Sequence, residues 1–314
     1  MVSEFTDSAT VKAGVLVEAL PWIRRFKGKI FVIKLGGNAI GSVQLLQEFA
    51  DDILFLHCVG VKPIVVFGGG PQISRALRDS GIESSFIRGY RVTPPEAISI
   101  IRNVLQNQIG SELQKQLDRH SVVSQLFSGE EHGLLQAERV LEDSTGNPID
   151  VGLVGEVEKV NPKVILDVLD RGKIPILSSL APASDGTTTL NVNADSTAAA
   201  LAEAVGAEKL VLLTNVAGLY SDWPDNKKII PTIAVSDLQK ILPKLSSGMI
   251  PKMSACLRAV NSGVSKAAVI DGTISHSLLL EVFTKSGVGT EVVAQRLVIS
   301  FAMMIFLPKS KWKF

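Results

Sequence analysis

Lys34 ends an apolar, β-branched run, Lys29-Ile-Phe-Val-Ile-Lys34, and is followed by the pair Gly36-Gly37. A lysine beside two glycine amides is a candidate clamp on a transferring phosphoryl group. Glycine lets the backbone approach a ligand closely and leaves N–H groups free for anions. A second apolar run, 61–67, ends in Gly68-Gly69-Gly70. Neither cluster is GxGxxG or GxxxxGK[ST], so the Rossmann and P-loop fingerprints are absent and any phosphate is held by another device. Asp195 closes the segment NVNAD (191–195) at a loop-to-helix junction, and Lys252 comes early in a helix after Gly248. Each signal has a plainer alternative: a solvated strand-end charge for Lys34, helix N-cap duty for Asp195, simple strand-to-helix turns for the glycines.

The elements that must position these residues alternate between short strands and longer helices. Strands are expected at 29–34, 61–67, 122–127, 153–160, 173–178, 209–214 and 267–270. Helices are expected at 42–60, from 70 to about 81, from Asn161-Pro162 onward, and at 194–205, 248–260 and 276–283. Leu45, Phe49, Ile53 and Leu56 form one apolar stripe on the helix at 42–60, and Pro162 suits a first helical turn. The pattern predicts a three-layer α/β/α sandwich with a mainly parallel central sheet whose strand ends open on a shared cleft. Residues 11–26 form an additional N-terminal helix with Val15, Leu16, Ala19, Leu20 and Ile23 at helical spacing. That stripe needs a partner, either the domain itself or another subunit. The segment from Arg296 onward is apolar and then basic, and its spacing does not choose between a late strand, an interface strip and a tail.

The chain has 314 residues, enough for one large two-lobed unit or two modest domains. Lys plus Arg total 32 against 31 Asp plus Glu, which leaves no overall electrostatic footprint for nucleic acid. His57, His120, His132 and His276 form no metal-ligand cluster, and Cys58 and Cys256 read as two reduced, buried thiols rather than zinc ligands. The first thirty residues carry Glu4 and Asp7 and lack the basic-then-apolar order of a signal peptide, and no apolar stretch is long enough to span a bilayer. A cytoplasmic location is expected.

In order and context, these segments resemble the amino acid kinase family. The resemblance is carried by VIKLGGNAI at 32–40, FGGGPQI at 67–73, GYRVT at 89–93, NVNAD at 191–195, LLTNVAGLY at 212–220 and GMIPKMSACLRAV at 248–260. GYRVT and NVNAD are similar to the members whose acceptor is the side-chain carboxylate of N-acetyl-L-glutamate. The resemblance implies a cytosolic enzyme of arginine biosynthesis that uses ATP with Mg2+, the metal being held mainly by the nucleotide phosphates and by no protein cluster. It assigns Lys34 and Lys252 to the migrating phosphoryl group, Asp195 to orienting both lysines, and Gly36, Gly37, Thr214, Asn215 and Gly218 to the ATP side. It assigns Gly69, Gly70, Arg91 and Asn191 to the acceptor. A carboxylate acceptor is already ionised at neutral pH, so no general base is required and positioning with charge neutralisation does the work. Residues 28–190 would form the acceptor lobe and 191–292 the ATP lobe, leaving 293–314 without an assigned role.

Three departures stand out. Asn215 occupies a position where the family usually has aspartate. The segment 107–110 matches the family's glycine- and asparagine-bearing stretch poorly, and Ser128-Gly-Glu-Glu-His132 carries an acid where many relatives have lysine. Residues 11–26 resemble the helix that joins dimers into a hexameric ring in arginine-inhibited members. Residues 276–290 resemble their arginine pocket, with His276, Glu281, Gly287 and Gly289 as its candidates. Two other readings remain: a sibling kinase acting on glutamate, aspartate, carbamate or a nucleotide, and an arginine-sensing ring that has lost catalysis.

Overall fold

The computed structural model of the chain describes residues 2–119, 123–143, 146–222 and 226–295. The segment from Arg296 onward, left open above, lies outside the described residues. Helix α1 (Val2–Phe26) leads to strand β1 (Ile30–Leu35), which turns through Gly37–Gly41 into α2 (Val43–Cys58). Strand β2 (Lys62–Phe67) turns through the triple glycine into α3 (Gly70–Asp79), and a ribbon of β3 (Phe86–Ile87) and β4 (Tyr90–Arg91) follows. Helix α4 (Ala97–Arg102) continues through a wide π-helical stretch, Asn103–Gly110, into α5 (Ser111–Asp118). Then come β5 (Ser124–Ser128), β6 (Leu135–Arg139), β7 (Val154–Val160), α6 (Pro162–Asp170) and β8 (Ile174–Ser178). The strands β9 (Leu180–Pro182) and β10 (Thr189–Val192) lead into α7 (Ala194–Ala204) and β11 (Lys209–Thr214). The last stretch holds β12 (Tyr220–Asp222), β13 (Asn226–Ile229), β14 (Thr232–Ala234), α8 (Val235–Ile241), α9 (Ile250–Asn261), β15 (Lys266–Asp271), α10 (Ser277–Phe283) and β16 (Thr290–Val293).

Among the described residues, eight strands form one sheet in the order β14-β16-β15-β11-β1-β2-β8-β5. All its pairs are parallel except β15 with β16, so the expected mainly parallel sheet is present with one reversed neighbour. The sheet runs unbroken from β5 to β14, with β1 and β11 adjacent at its middle.

Period-two alternation divides each strand between two cores. Val32, Ile64, Val66, Leu210, Leu212 and Val269 pack beneath α6, α7 and α9. Phe31, Ile33, Leu35, Val65, Phe67, Val211 and Ile270 pack against α2, α3, α5 and α10. This is the three-layer α/β/α sandwich. Near-continuous apolar strands reflect burial on both faces, and the first layer grows outward through a second sheet, β6-β7-β10-β9.

Two sequence expectations change at the edges. The N-terminal helix begins at Val2 rather than Val11. Its last turn is docked: Phe26 is buried, its ring meets Phe31 edge to face at 5.0 Å, and α1 touches α10. Upstream, Val11, Val15, Leu16, Val17 and Leu20 are at least half exposed, so the domain does not cover this stripe. Cys256 is buried as expected, whereas Cys58, the last residue of α2, is exposed.

Candidate active site

The C-terminal ends of β1 and β2 face one cleft of about 320 Å³, lined by both glycine clusters together with Lys34, Arg91, Asn191, Asp195 and Lys252. Lys34 and Asp195 are buried. Lys252 Nζ donates to Asp195 Oδ2 at 2.8 Å. Lys34 Nζ forms an ion pair with Asp195 Oδ1 at 2.8 Å. Burial alone would raise the Asp195 carboxyl, but the charges of Lys34 and Lys252 outweigh it and hold the group far below the usual carboxylate range. Burial pushes the Lys34 ammonium below its ordinary value, Asp195 opposes that, and repulsion from Lys252 adds to it. Two ammonium groups around one carboxylate leave a net positive charge at the cleft wall, suited to an incoming anion.

Local structure explains why these residues meet. The N-cap of α7 is Asn193, whose side chain accepts from the Asp195 amide at 2.7 Å. Asp195 is therefore not the cap, and its carboxylate is free to serve the lysines. Pro251 opens the first turn of α9 and delivers Lys252 toward the same carboxylate. Lys34 leaves β1 and folds back over Gly36, where a Cβ would collide with its Nζ. Gly37 has φ +68 and lies against the Asn215 side chain, so left-handed backbone and close contact both demand glycine there.

Arg91 is buried, and burial lowers its guanidinium below the ordinary value. It donates to the Gly70 carbonyl at 2.9 Å and to Ser84 Oγ, and its guanidinium stands 4.6 Å over the Phe86 ring. Gly69 sits against Ile109, with no room for a Cβ. Asn191 donates from Nδ2 to Thr93 Oγ1 at 3.1 Å and borders the cleft. Thr214 ends β11 beside β1, and its carbonyl accepts from Gly272. Gly218 packs tightly on Thr290, so it shapes the loop after β11 rather than bordering the glycine cleft.

The 276–290 segment does not form one open constellation. Glu281 is buried, and its Oε1 accepts from Lys209 Nζ at 2.7 Å while Oε2 accepts from the Val288 amide at 3.0 Å. Gly287, with φ +62, leaves space for that carboxylate, and Gly289 packs on the Val269 carbonyl. His276 points elsewhere: its Nδ1 is 2.6 Å from Asp52 Oδ1 on α2. Glu281 is thus neither a solvated helix charge nor a vacant carboxylate. Lys209 was missed in the sequence, although a lysine opening the otherwise apolar strand KLVLLT is a visible signal.

Of the departures, Glu130 holds Arg102 through two hydrogen bonds, 3.1 and 2.8 Å, and accepts from Thr189 at 2.6 Å and Ser128 at 3.0 Å. Its charge ties α4 to β10, the strand of Asn191. The segment 107–110 lies in the π-helical stretch, where a Cβ on Gly110 would meet the Leu105 carbonyl and the Leu126 side chain.

The family profile described as "Amino acid kinase family" matches residues 29–271. The chain is 53% identical over 292 residues to an acetylglutamate kinase of Arthrobacter sp. (strain FB24), covering 91% of this chain and 94% of the relative. It is 50% identical over 292 residues to one of Saccharopolyspora erythraea, covering 93% and 96%. Among solved structures, an N-acetylglutamate synthase of Neisseria gonorrhoeae complexed with coenzyme A and N-acetyl-glutamate superposes with a TM-score of 0.79. It is 26% identical and is covered over 90% of this chain and 63% of its own. Carbamate kinase of Giardia lamblia shares the fold at TM-score 0.62 and 16% identity, with 85% and 99% covered.

Proposed function

The chain belongs to the amino acid kinase family, and from that premise we infer that its cleft moves the γ-phosphoryl group of ATP onto the side-chain carboxylate of N-acetyl-L-glutamate, a step of arginine biosynthesis. A carboxylate oxygen of the acceptor attacks the γ-phosphorus, the bond to the β,γ-bridging oxygen breaks, and ADP leaves with that electron pair. The product is N-acetyl-L-glutamyl 5-phosphate. No proton needs to be removed from the acceptor. The observation that carries this reading is the buried Lys34–Asp195–Lys252 arrangement above the two glycine turns. The lysines meet charge that spreads over the phosphoryl oxygens in the transition state, and Asp195 keeps both ammonium groups in place.

The lobe from 28 to 190 supplies the acceptor grip through Gly69, Gly70 and Arg91, to which Asn191 adds at the boundary. The lobe from 191 to 292 supplies the nucleotide side through Thr214, Asn215 and Gly218. Asp195 is the carboxylate bordering the cleft among the described residues, and two ammonium groups occupy it. That donor set suits an anion, so Mg2+ would enter on the ATP phosphates, where it neutralises their charge.

Regulation by arginine in a hexameric ring is part of the same proposal. It is supported by the uncovered apolar stripe of α1 and by the docking of α1 on α10, the helix that carries Glu281. Among the described residues no helix is long and apolar enough to cross a membrane, which agrees with a cytoplasmic biosynthetic enzyme. A coupled ADP-release assay with N-acetyl-L-glutamate, L-glutamate and L-aspartate side by side tests the acceptor. Turnover confined to the acetylated substrate is expected, and a preference for either free amino acid would move the chain to a sibling activity.

A further inference from the structure

Thr93 stands two residues after Arg91 and is fully buried. Pro94 follows it and confines its backbone to the extended region, and its β-branched side chain is stiff at χ1. Its amide donates to the Val151 carbonyl at 2.9 Å, and its own carbonyl accepts from the Leu153 amide at 2.7 Å. Gly152 lies between these two partners at φ +72, where a Cβ would collide with the Thr93 carbonyl. The Leu153 carbonyl in turn accepts from the Asn191 amide at 2.9 Å, and Val154 pairs with Asn191 across β7 and β10. The backbone thus fixes Thr93 against the strand that carries Asn191.

The Thr93 hydroxyl links both acceptor residues. Its Oγ1 donates to the Arg91 carbonyl at 2.9 Å. A carbonyl can only accept, so the single hydroxyl proton is committed there and only lone pairs remain. Asn191 meets those lone pairs with Nδ2 at 3.1 Å. The opposite orientation of the amide would set Oδ1 against the Thr93 oxygen with no proton between them. Asn191 therefore has one favoured amide orientation. Its Oδ1 is the branch left to accept a hydrogen bond in the cleft that Asn191 and Arg91 both line, and no described residue donates to it.

We propose that Thr93 is a positioning residue for the acceptor: its hydroxyl fixes the Asn191 amide so that Oδ1 accepts the N–H of the substrate's acetamido group, beside the carboxylate held by Arg91. The proposal rests on the acceptor roles of Arg91 and Asn191 stated above. A hydroxyl with one proton thereby sets the polarity of a subsite that it does not itself border. A flipped amide would aim Nδ2 at the substrate N–H, leaving two donors face to face.

Steady-state kinetics of the wild type, Thr93→Val and Thr93→Ser test it with two acceptors, N-acetyl-L-glutamate and (S)-2-acetoxyglutarate, in which an ester oxygen replaces the N–H. The wild type should prefer the amide by about tenfold or more in kcat/KM, since Oδ1 repels the ester oxygen. Thr93→Val keeps the branched shape and removes the hydroxyl. Its KM for N-acetyl-L-glutamate should rise about tenfold while the ATP KM stays within about twofold. Its amide-over-ester preference should fall to about threefold or less, because the freed Asn191 amide turns Nδ2 toward the ester oxygen. Thr93→Ser keeps the hydroxyl and should stay within about threefold of wild type on both acceptors. Loss of packing alone would lower turnover of both acceptors together and leave their ratio unchanged. A wild type that takes the ester as readily as the amide would overturn the proposal without any variant. So would a valine variant with the wild-type preference, equal rises in both KM values, or a serine variant as impaired as the valine one. If Thr93→Val does not fold, Thr93→Ala carries the same comparison. A wild-type protein that fails to phosphorylate N-acetyl-L-glutamate sinks the functional reading and this one together, whereas an active wild type with an unchanged acceptor ratio across the variants sinks only this one.

Discussion

Lys34 Nζ stands 2.8 Å from Asp195 Oδ1, and both side chains are buried where β1 meets the start of α7. The other oxygen of the carboxylate belongs to Lys252. Removing one member of such a group leaves the others unbalanced in a low-dielectric site, so the three act as a unit.

Lys34→Ala and Lys252→Ala are each expected to lower kcat by about a hundredfold or more, with the fold retained. Asp195→Asn should lower it comparably, because an amide cannot hold two ammonium groups against each other. Its melting temperature is a poor guide to N-cap loss, since Asn193 already fills that role. Stopped-time ADP assays beside circular dichroism separate the two effects. Near-wild-type turnover in either lysine variant would remove that lysine from the chemistry.

Arg91→Lys keeps the charge but loses the fork that reaches Ser84 and the Gly70 carbonyl and stacks on Phe86. The acceptor KM should rise about tenfold or more, and the ATP KM should change far less. A larger effect on ATP would place Arg91 on the wrong side of the cleft.

Deleting residues 1–20 tests the ring. The cut spares Trp22 and Phe26, whose rings stack at 6.1 Å and anchor α1 to the core. It removes Val11, Val15, Leu16, Val17 and Leu20. Light scattering should show a fall from hexamer to dimer mass, and arginine should inhibit less well, because an inhibitor acts only through an arrangement that it binds better. Retained hexamer mass would end the role of α1 in assembly.

Glu281→Gln should weaken arginine inhibition while sparing uninhibited turnover. Glutamine is the better variant because Glu281→Ala would strip Lys209 of its 2.7 Å partner and leave it with Glu291 at 3.2 Å. An arginine titration identical to wild type would take Glu281 out of the inhibitor site.

The His276–Asp52 pair makes stability depend on pH in a stated direction. The hydrogen bond to Asp52 raises His276 above its ordinary value, with burial opposing. Burial raises the Asp52 carboxyl to about 6, against the pull of His276. Both folded values lie above the unfolded ones, so both contributions are complete at low pH and are lost as pH rises through the folded values. The wild-type melting temperature should therefore fall as pH rises from about 4 to about 6, where Asp52 loses its proton, and again as His276 loses its own, and Asp52→Asn should flatten that fall. An identical slope in the variant would show that the pair is not its source.

Much of the order of elements, and the turns that carry Lys34, Asp195 and Lys252, were legible in the chain because they are local. Glycines directly after β1 and β2, the Asn193 cap before Asp195 and Pro251 before Lys252 specify turns and helix starts within a few residues. Buried parallel strands also announce themselves as continuous apolar runs. The partnerships of the charged side chains were not legible in the same way. The segment 128–132 stood out only for an acid where many relatives have lysine, and its Glu130 clamps Arg102 and Thr189. Glu281 and His276 were named together as arginine-pocket candidates, but Glu281 is held by Lys209 and His276 turns to Asp52. Backbone turns and periodicity depend on neighbours in sequence. Which ammonium meets which carboxylate depends on how distant strands and helices pack, so tertiary structure alone decided it.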